Sequence, residues 1–159
     1  MVRLVPIEQE DFDVFMERDI AGYAAAKVRS GTWLQEEALE RSRQEHALLL
    51  PQGRQTPNHF IYSILDEDAR RKIGILWVHV PPDRLQHEAF IYDIEIDEAF
   101  RGKGYGRQAL LALDELLIGM GVEHVDLHVF AYNTTAFELY KKAGYEVTDF
   151  IMRKVYRAD

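Results

Sequence analysis

The sequence predicts an α/β (α+β) fold: a single mixed, mostly antiparallel sheet of about seven strands with helices on both faces. Three observations predict it. Apolar residues recur at helical spacing in early stretches and at alternate positions in later ones. The element order reads β-α-α-β-β-β-α-β-α-β-β, which does not alternate throughout as a doubly wound sheet would. One strand–helix–strand unit in the middle should set two strands parallel through a right-handed crossover.

Val2 to Val5 reads as a short strand. Ile7 to about Arg29 is helical, because Phe12, Phe15, Met16, Ile20, Tyr23 and Ala24 recur at three- and four-residue spacing. Ser30 and Gly31 break it. A second helix runs from about Gln35 to Leu50 and stops before Pro51. The polar loop PQGRQTPN follows. The residues before it are too few for an independent core, so residues 1–159 are expected to form one domain.

Phe60–Leu65 and Lys72–Val80 read as strands joined by the charged turn DEDARR. His87–Asp97 is a third long strand. Its alternation puts Phe90, Tyr92, Ile94 and Ile96 on one face and Ile91, Asp93, Glu95 and Asp97 on the other. That regularity argues against a bulge between Phe90 and Ile96. After RGKGYG a helix reaches about Met120, with Leu110, Leu113, Leu117 and Met120 on its stripe. Val125–Phe130 is a strand, and Asn133 to about Ala143 a short helix ended by Gly144. Two terminal strands are expected near Tyr145–Val147 and Phe150–Val155.

Composition excludes several function classes. The chain has 159 residues and no cysteine. Disulfides, cysteine-held zinc, iron–sulfur clusters and a thiol nucleophile are therefore out. The six histidines show no metal-binding spacing, so no metal is expected. A net charge of −8 opposes a nucleic-acid surface and suits a cationic partner such as an amine, or simply keeps the protein soluble. No apolar run approaches the roughly 18 residues of a membrane span, and the start lacks a signal-peptide core. No membrane partner and a cytoplasmic location are expected.

The loop Arg101-Gly102-Lys103-Gly104-Tyr105-Gly106-Arg107 sits between a strand and a helix. A helix start carries backbone N–H groups with no internal partner and about half a unit of positive charge. Glycines let an anion approach them closely. The Walker pattern fails for want of Ser or Thr, and the dinucleotide pattern GxGxxG fails at Arg107. A tight turn on a basic patch remains the alternative. A second segment, NTTAFELYKKAGY from Asn133 to Tyr145, opens on a good N-cap. Asn133 and Tyr140 lie two turns apart on one helix face. Both helices start at the same end of adjacent parallel strands, where α/β ligands collect.

Together these segments resemble the GNAT superfamily of N-acetyltransferases. The resemblance covers the whole chain in element order. It is specific at the Arg-x-x-Gly-x-Gly loop, met by Arg101, Gly104 and Gly106, and at the helix pattern met by Asn133, Ala136, Tyr140, Gly144 and Tyr145. It implies the acyl-CoA N-acyltransferase fold, with acetyl-CoA as acyl donor and a primary amine as acceptor. Its diphosphate would lie on the amides of Gly102 to Arg107, and its pantetheine arm along Ile94, Glu95 and Ile96.

An amine of pKa near 10 is about 99.9% protonated at pH 7, and only the free base attacks a thioester. Glu95 is the first candidate to take that proton, directly or through water, and Asp93 the second; acidic residues on a strand also commonly face solvent. Tyr140 is the candidate acid for the leaving thiolate. Tyr23, Trp33, His59, Trp77 and Tyr92 are candidate acceptor walls, although residues of these types more often belong to ordinary core, with Glu36, Glu37 and Asp93 available to attract a cation. The alternatives are a non-catalytic acyl-CoA-binding module of this fold and a nucleotide-binding protein. The terminal strand either pairs with another subunit as a homodimer or simply ends the sheet.

Overall fold

The structure is a computed structural model that describes residues 1–82 and 87–156. The chain runs β1 (Val2–Pro6), α1 (Gln9–Arg29), α2 (Gln35–Leu49), β2 (His59–Asp66), β3 (Arg71–His79), β4 (Glu88–Ile96), α3 (Tyr105–Gly119), β5 (His124–Leu127) and α4 (Thr134–Lys142). The strands form one mixed sheet in the order β1-β2-β3-β4-β5. Neighbours pair antiparallel except β4 and β5, which are parallel across the α3 crossover.

Period-two alternation splits the strand side chains between two cores. On one face Ile64, Ile73, Leu76, Val78, Ala89 and Ile91 meet Ala109, Leu110, Leu113 and Leu117 of α3. On the other, Ile61, Ile75 and Trp77 meet Ile7, Phe12, Phe15 and Leu50. Phe15 and Trp77 are fully buried there, their rings edge to face at 6.3 Å. Burying such a side chain stabilises by about 1.5–3 kcal/mol. A smaller cluster of Ala24, Trp33 and Ala38 fastens α1 to α2.

Two expectations need correction. The sheet among the described residues has five strands, not about seven. Tyr145–Val147 and Phe150–Val155 form no strand, and β5 stops at Leu127 rather than Phe130. A strand exists only where another offers it hydrogen bonds, and these stretches find no such partner among the described residues.

The second correction concerns β4. Trp77 pairs with Asp93 but Val78 pairs with Ile91, so the register shifts by one residue at Tyr92. The extra residue is a bulge, and it exchanges the faces of everything before it. Ile91, Ile94 and Ile96 all join the α3-side core. Phe90 and Tyr92 lie with Asp93 and Glu95 on the α1 side, where the Tyr92 ring stacks 4.8 Å from Trp77 and 4.9 Å from Phe90.

Candidate active site

The strand β4 leads into the glycine loop. Gly102 and Gly104 have φ of 74° and 84°, a left-handed geometry that side chains resist. Gln108 is the first residue of α3 to bond back, its N–H donating to Gly104 O at 3.2 Å. Among the described residues, no acceptor meets the backbone N–H groups of residues 102–107. They form an open donor cluster at a helix start. At Gly106 a Cβ would stand 3.0 Å from Leu139 Cδ2, so α4 approaches the cradle closely there. An open groove of about 440 Å³ follows α4, lined by Thr134, Thr135, Glu138, Leu139 and Lys142.

The loop side chains are used unequally. Arg101 Nε donates to Ile96 O at 2.8 Å, and its Nη2 lies 3.8 Å from Glu95 Oε1. Tyr105 Oη donates to Asp66 Oδ2 at 2.8 Å, mooring the helix start to the end of β2. That bond holds the Asp66 carboxyl below its usual range and the Tyr105 phenol above its own. Lys103 and Arg107 are exposed.

Past the bulge, β4 loses its parallel neighbour. The pairing with β5 runs from Glu88 opposite His124 to Ile91 opposite Leu127. From Tyr92 to Ile96 the outer edge of β4 faces no strand among the described residues. Asn133 Oδ1 accepts from Ala136 N at 3.3 Å and caps α4 as its residue type predicts. Two turns on, Tyr140 stands near Asp93. Burial first, and then the charge of Asp93, pushes its phenol up to about 12.

A buried polar chain reaches Asp93 from the two amino-terminal helices. His46 is 6% exposed; its Nδ1 lies 2.8 Å from Ser42 O and its Nε2 2.7 Å from Asp19 Oδ2. A carbonyl only accepts, so Nδ1 carries a proton. Nε2 and the Asp19 oxygen then share a second one. Burial alone would lower the His46 pKa, but the bonds to Asp19 and Ser42 outweigh it and the net direction is up. Asp19 also bonds Asp93. Burial, that bond, and the charges of Asp19 and Glu95 raise the Asp93 carboxyl well above its usual range. Glu95 lies between two cations, 3.6 Å from Arg18 Nε and 3.8 Å from Arg101 Nη2.

The aromatic residues lie on this same α1 side. Tyr92 is 37% exposed and covers Trp77, itself 1% exposed. Trp77 Nε1 donates to His59 Nδ1 at 3.0 Å, and the His59 and His79 rings sit 4.5 Å apart. Burial, followed by repulsion from His79, depresses the His59 pKa to about 4. Tyr23 packs edge to face on Trp33 at 5.5 Å, and Trp33 is buried between α1 and α2. Glu36 and Glu37 are exposed at the start of α2, Glu37 paired with Arg41 at 3.0 Å.

Asp19, His46 and Arg18 escape the sequence reading. A signal for two of them is present. Asp19 continues the buried stripe Phe12–Phe15 one turn further, and His46 follows Ala38 and Ser42 at intervals of four. A polar residue on a buried stripe needs a buried partner.

A mixed sheet whose parallel pair parts beside a helix-start amide cluster defines the N-acetyltransferase class of enzyme. The chain belongs to the acetyltransferase (GNAT) family, whose description matches residues 29–145. It is similar to the N-acetyltransferase YycN of Bacillus subtilis strain 168, with 43% identity over 153 residues, covering 96% of this chain and 97% of YycN. It is also similar to the N-acetyltransferase YdgE of the same strain, 41% identical over 151 residues, covering 95% of this chain and 96% of YdgE. A crystal structure of YycN superposes with a TM-score of 0.94 at 41% identity, covering 99% of this chain and 100% of that one.

Proposed function

We propose that this chain transfers an acetyl group from acetyl-CoA to a primary amine by direct attack, donor and acceptor being bound together in one domain over residues 1–159. One observation carries the reading. The open amides of residues 102–107 and the unpaired edge of β4 past Ile91 lie at the same end of the sheet, with Asp93 and Glu95 beside them.

The amides of Gly102 to Arg107 suit the diphosphate, with Lys103 and Arg107 adding exposed positive charge and Asn133 holding the start of α4 beside them. Ile94 would offer edge hydrogen bonds to the amide-bearing arm, while the main-chain groups of Glu95, opposite Ile75 in the ladder that Asp97 N–H closes on Ile73 O, turn toward β3. The Ile96 carbonyl is already engaged by Arg101. On the α1 side, Tyr23, His59 and Tyr92 would wall the acceptor, with Trp33 and Trp77 beneath them. The carboxylates there, with the net charge of −8, favour a cationic amine.

Glu95 is the better base. Burial and the neighbouring carboxylates raise the Asp93 carboxyl well above its usual range, which favours its protonated form as a hydrogen-bond donor to Asp19 over a role as base. The ammonium gives a proton to Glu95, directly or through water. The nitrogen lone pair then forms a bond to the thioester carbon, the carbon–sulfur bond breaks, and thiolate leaves. A backbone N–H of Ile94 or Ile96 would stabilise the oxygen that turns negative. Tyr140 is a poor proton source: its pKa of about 12 lies roughly 3.5 units above a thiol near 8.5, an uphill transfer of about 5 kcal/mol. Its role is to donate a hydrogen bond to the departing sulfur, which solvent then protonates.

The test measures thiol release from acetyl-CoA across a panel of amines, alongside calorimetry of CoA binding. Turnover of at least one amine is expected. Tight CoA binding with no amine turned over would favour a non-catalytic module. Failure to bind CoA, or competition by ATP, would sink the donor assignment. Among the described residues no helix is long and apolar enough to cross a membrane, and no three histidine or acidic side chains cluster to hold a metal.

A further inference from the structure

We propose that Lys27 is a specificity residue that holds an anionic group, carboxylate or phosphate, at the far end of the acceptor. The preferred acceptor is then a small acid-tailed amine, a conclusion that rests on the placement of its reacting nitrogen at Glu95 given above.

The helix α1 crosses the candidate site lengthwise. Arg18 meets Glu95, and Asp19 meets Asp93. One turn on stands Tyr23, whose phenol is pushed up to about 12 by burial and then by Glu45, with smaller effects from Asp19 and Tyr92. Two turns on, Lys27 comes near His128, just past the end of β5. Partial burial first, and then the Lys27 charge, lower the His128 pKa. The helix thus carries acid at one end of the site, an aromatic ring in the middle and a cation at the other end.

Lys27 is half-buried, yet no acid answers it. Its Nζ lies 5.4 Å from the centre of the Tyr23 ring and 5.5 Å from that of Trp33. Ring faces attract an ammonium, but they leave its three N–H donors without oxygen acceptors. Among the described residues Lys72 pairs with both Glu8 and Asp11, whereas Lys27 pairs with no carboxylate. Acidic side chains outnumber Lys and Arg by 27 to 19, so a half-buried lysine without one is not for want of acids. The same end of α1 carries Arg29, 4.0 Å over the Tyr132 ring, and Arg153, whose Nη1 donates to Ser30 O and Gly31 O. A helix end attracts cations by its dipole, which accounts for the exposed Arg29. A lysine turned in against two rings gives up water and leaves room for an anion as its partner.

The spacing sets the length of the acceptor. Eight residues of helix rise about 12 Å, and a helical side chain leans back toward the helix start. The amine and the acid are therefore separated by a chain of several carbons. An α-amino acid, with both charges on one carbon, is too short to engage both ends. A second ammonium at Lys27 is repelled, which selects against polyamines.

Calorimetry with and without CoA tests this without turnover, using aminohexanoate, hexylamine and hexanediamine as probes. Wild type is expected to bind aminohexanoate most tightly. Aminohexyl phosphate in the same titration tells a phosphate tail from a carboxylate one, and a preference for either supports the site. Lys27→Met keeps the apolar stem on Tyr23 and Trp33 but removes the charge. It should weaken aminohexanoate by about 10- to 100-fold, the worth of a hydrogen bond between charged groups, and should strengthen hexanediamine. Lys27→Arg should restore the preference. Where acetylation is measured, the loss in Lys27→Met should fall on the acceptor KM rather than on kcat. Equal binding of tailed and plain amines, a preference that survives Lys27→Met, or binding of none of the probes would overturn the proposal. Probes bound with the expected preference but never acetylated would remove the transfer reading and leave this one standing.

Discussion

His46 Nε2 lies 2.7 Å from Asp19 Oδ2, joining α2 to α1 at the spot where Asp19 also meets Asp93 of β4. The pair holds both helices against the strand that carries the candidate base. The net rise in the His46 pKa makes its contribution pH dependent. A raised folded-state value means stabilisation fully present below the unfolded value of about 6.5 and lost as pH rises through the folded one. His46→Asn should therefore be markedly less stable than wild type at pH 6, with the gap closing toward alkaline pH. Urea unfolding at several pH values measures it; a constant gap would remove the charge from the account.

Asp93→Asn should move in the same pH direction as His46→Asn, from a different ionisation. A carboxyl whose pKa is raised on folding loses stability as pH climbs through that raised value. The amide cannot ionise, so the variant should gain on wild type as pH rises above the unfolded value of about 3.9. Its kcat should fall modestly. Glu95→Gln should lower kcat by about 10²–10⁴-fold with little change in the acetyl-CoA KM. If the two variants exchange these effects, Asp93 is the base.

Tyr140→Phe should lower kcat by about 10- to 100-fold, the worth of one hydrogen bond to a charged group. CoA affinity should hold. Because the phenol sits near 12, the wild-type rate should show no alkaline fall attributable to it below about pH 10. Wild-type kcat in the variant would leave Tyr140 a packing residue.

Gly104→Asp should raise the acetyl-CoA KM by placing a carboxylate on the amide cluster. The φ of 84° strains any side chain, so Gly104→Ala separates strain from charge. The alanine variant should show the smaller rise. Equal effects would count against an anion at that place.

The His59 ring accepts the Trp77 indole proton, which requires a neutral imidazole. Its depressed pKa means stability lost as pH falls from about 6.5 through about 4. Tryptophan fluorescence should follow that loss. His59→Phe should shift the acid midpoint downward; an unchanged midpoint would place the acid sensitivity elsewhere.

The donor side was legible in the sequence because its chemistry is local. Glycines at fixed offsets from a helix start can be read without knowing what packs nearby. The elements were legible for a similar reason, since periodicity betrays burial. The bulge was not: Phe90, Tyr92, Ile94 and Ile96 alternate smoothly in composition, and nothing local says that Tyr92 is the extra residue. The missing strands failed differently. Phe150–Val155 has the pattern of a strand, but a pattern does not supply a neighbour to pair with. Asp19 and His46 went unread because each interrupts an apolar stripe that was read only for its apolar members.

The parting of β4 from β5 leaves half of a central strand as an unfilled berth in the sheet. A ligand carrying peptide-like amides can dock there much as a short peptide zips onto a sheet edge. Such a sheet gains a rung when the ligand arrives and sheds it when the ligand departs. The backbone amides of Ile94 and Ile96, which turn to the open edge, should thus exchange hydrogen at rates that register occupancy directly.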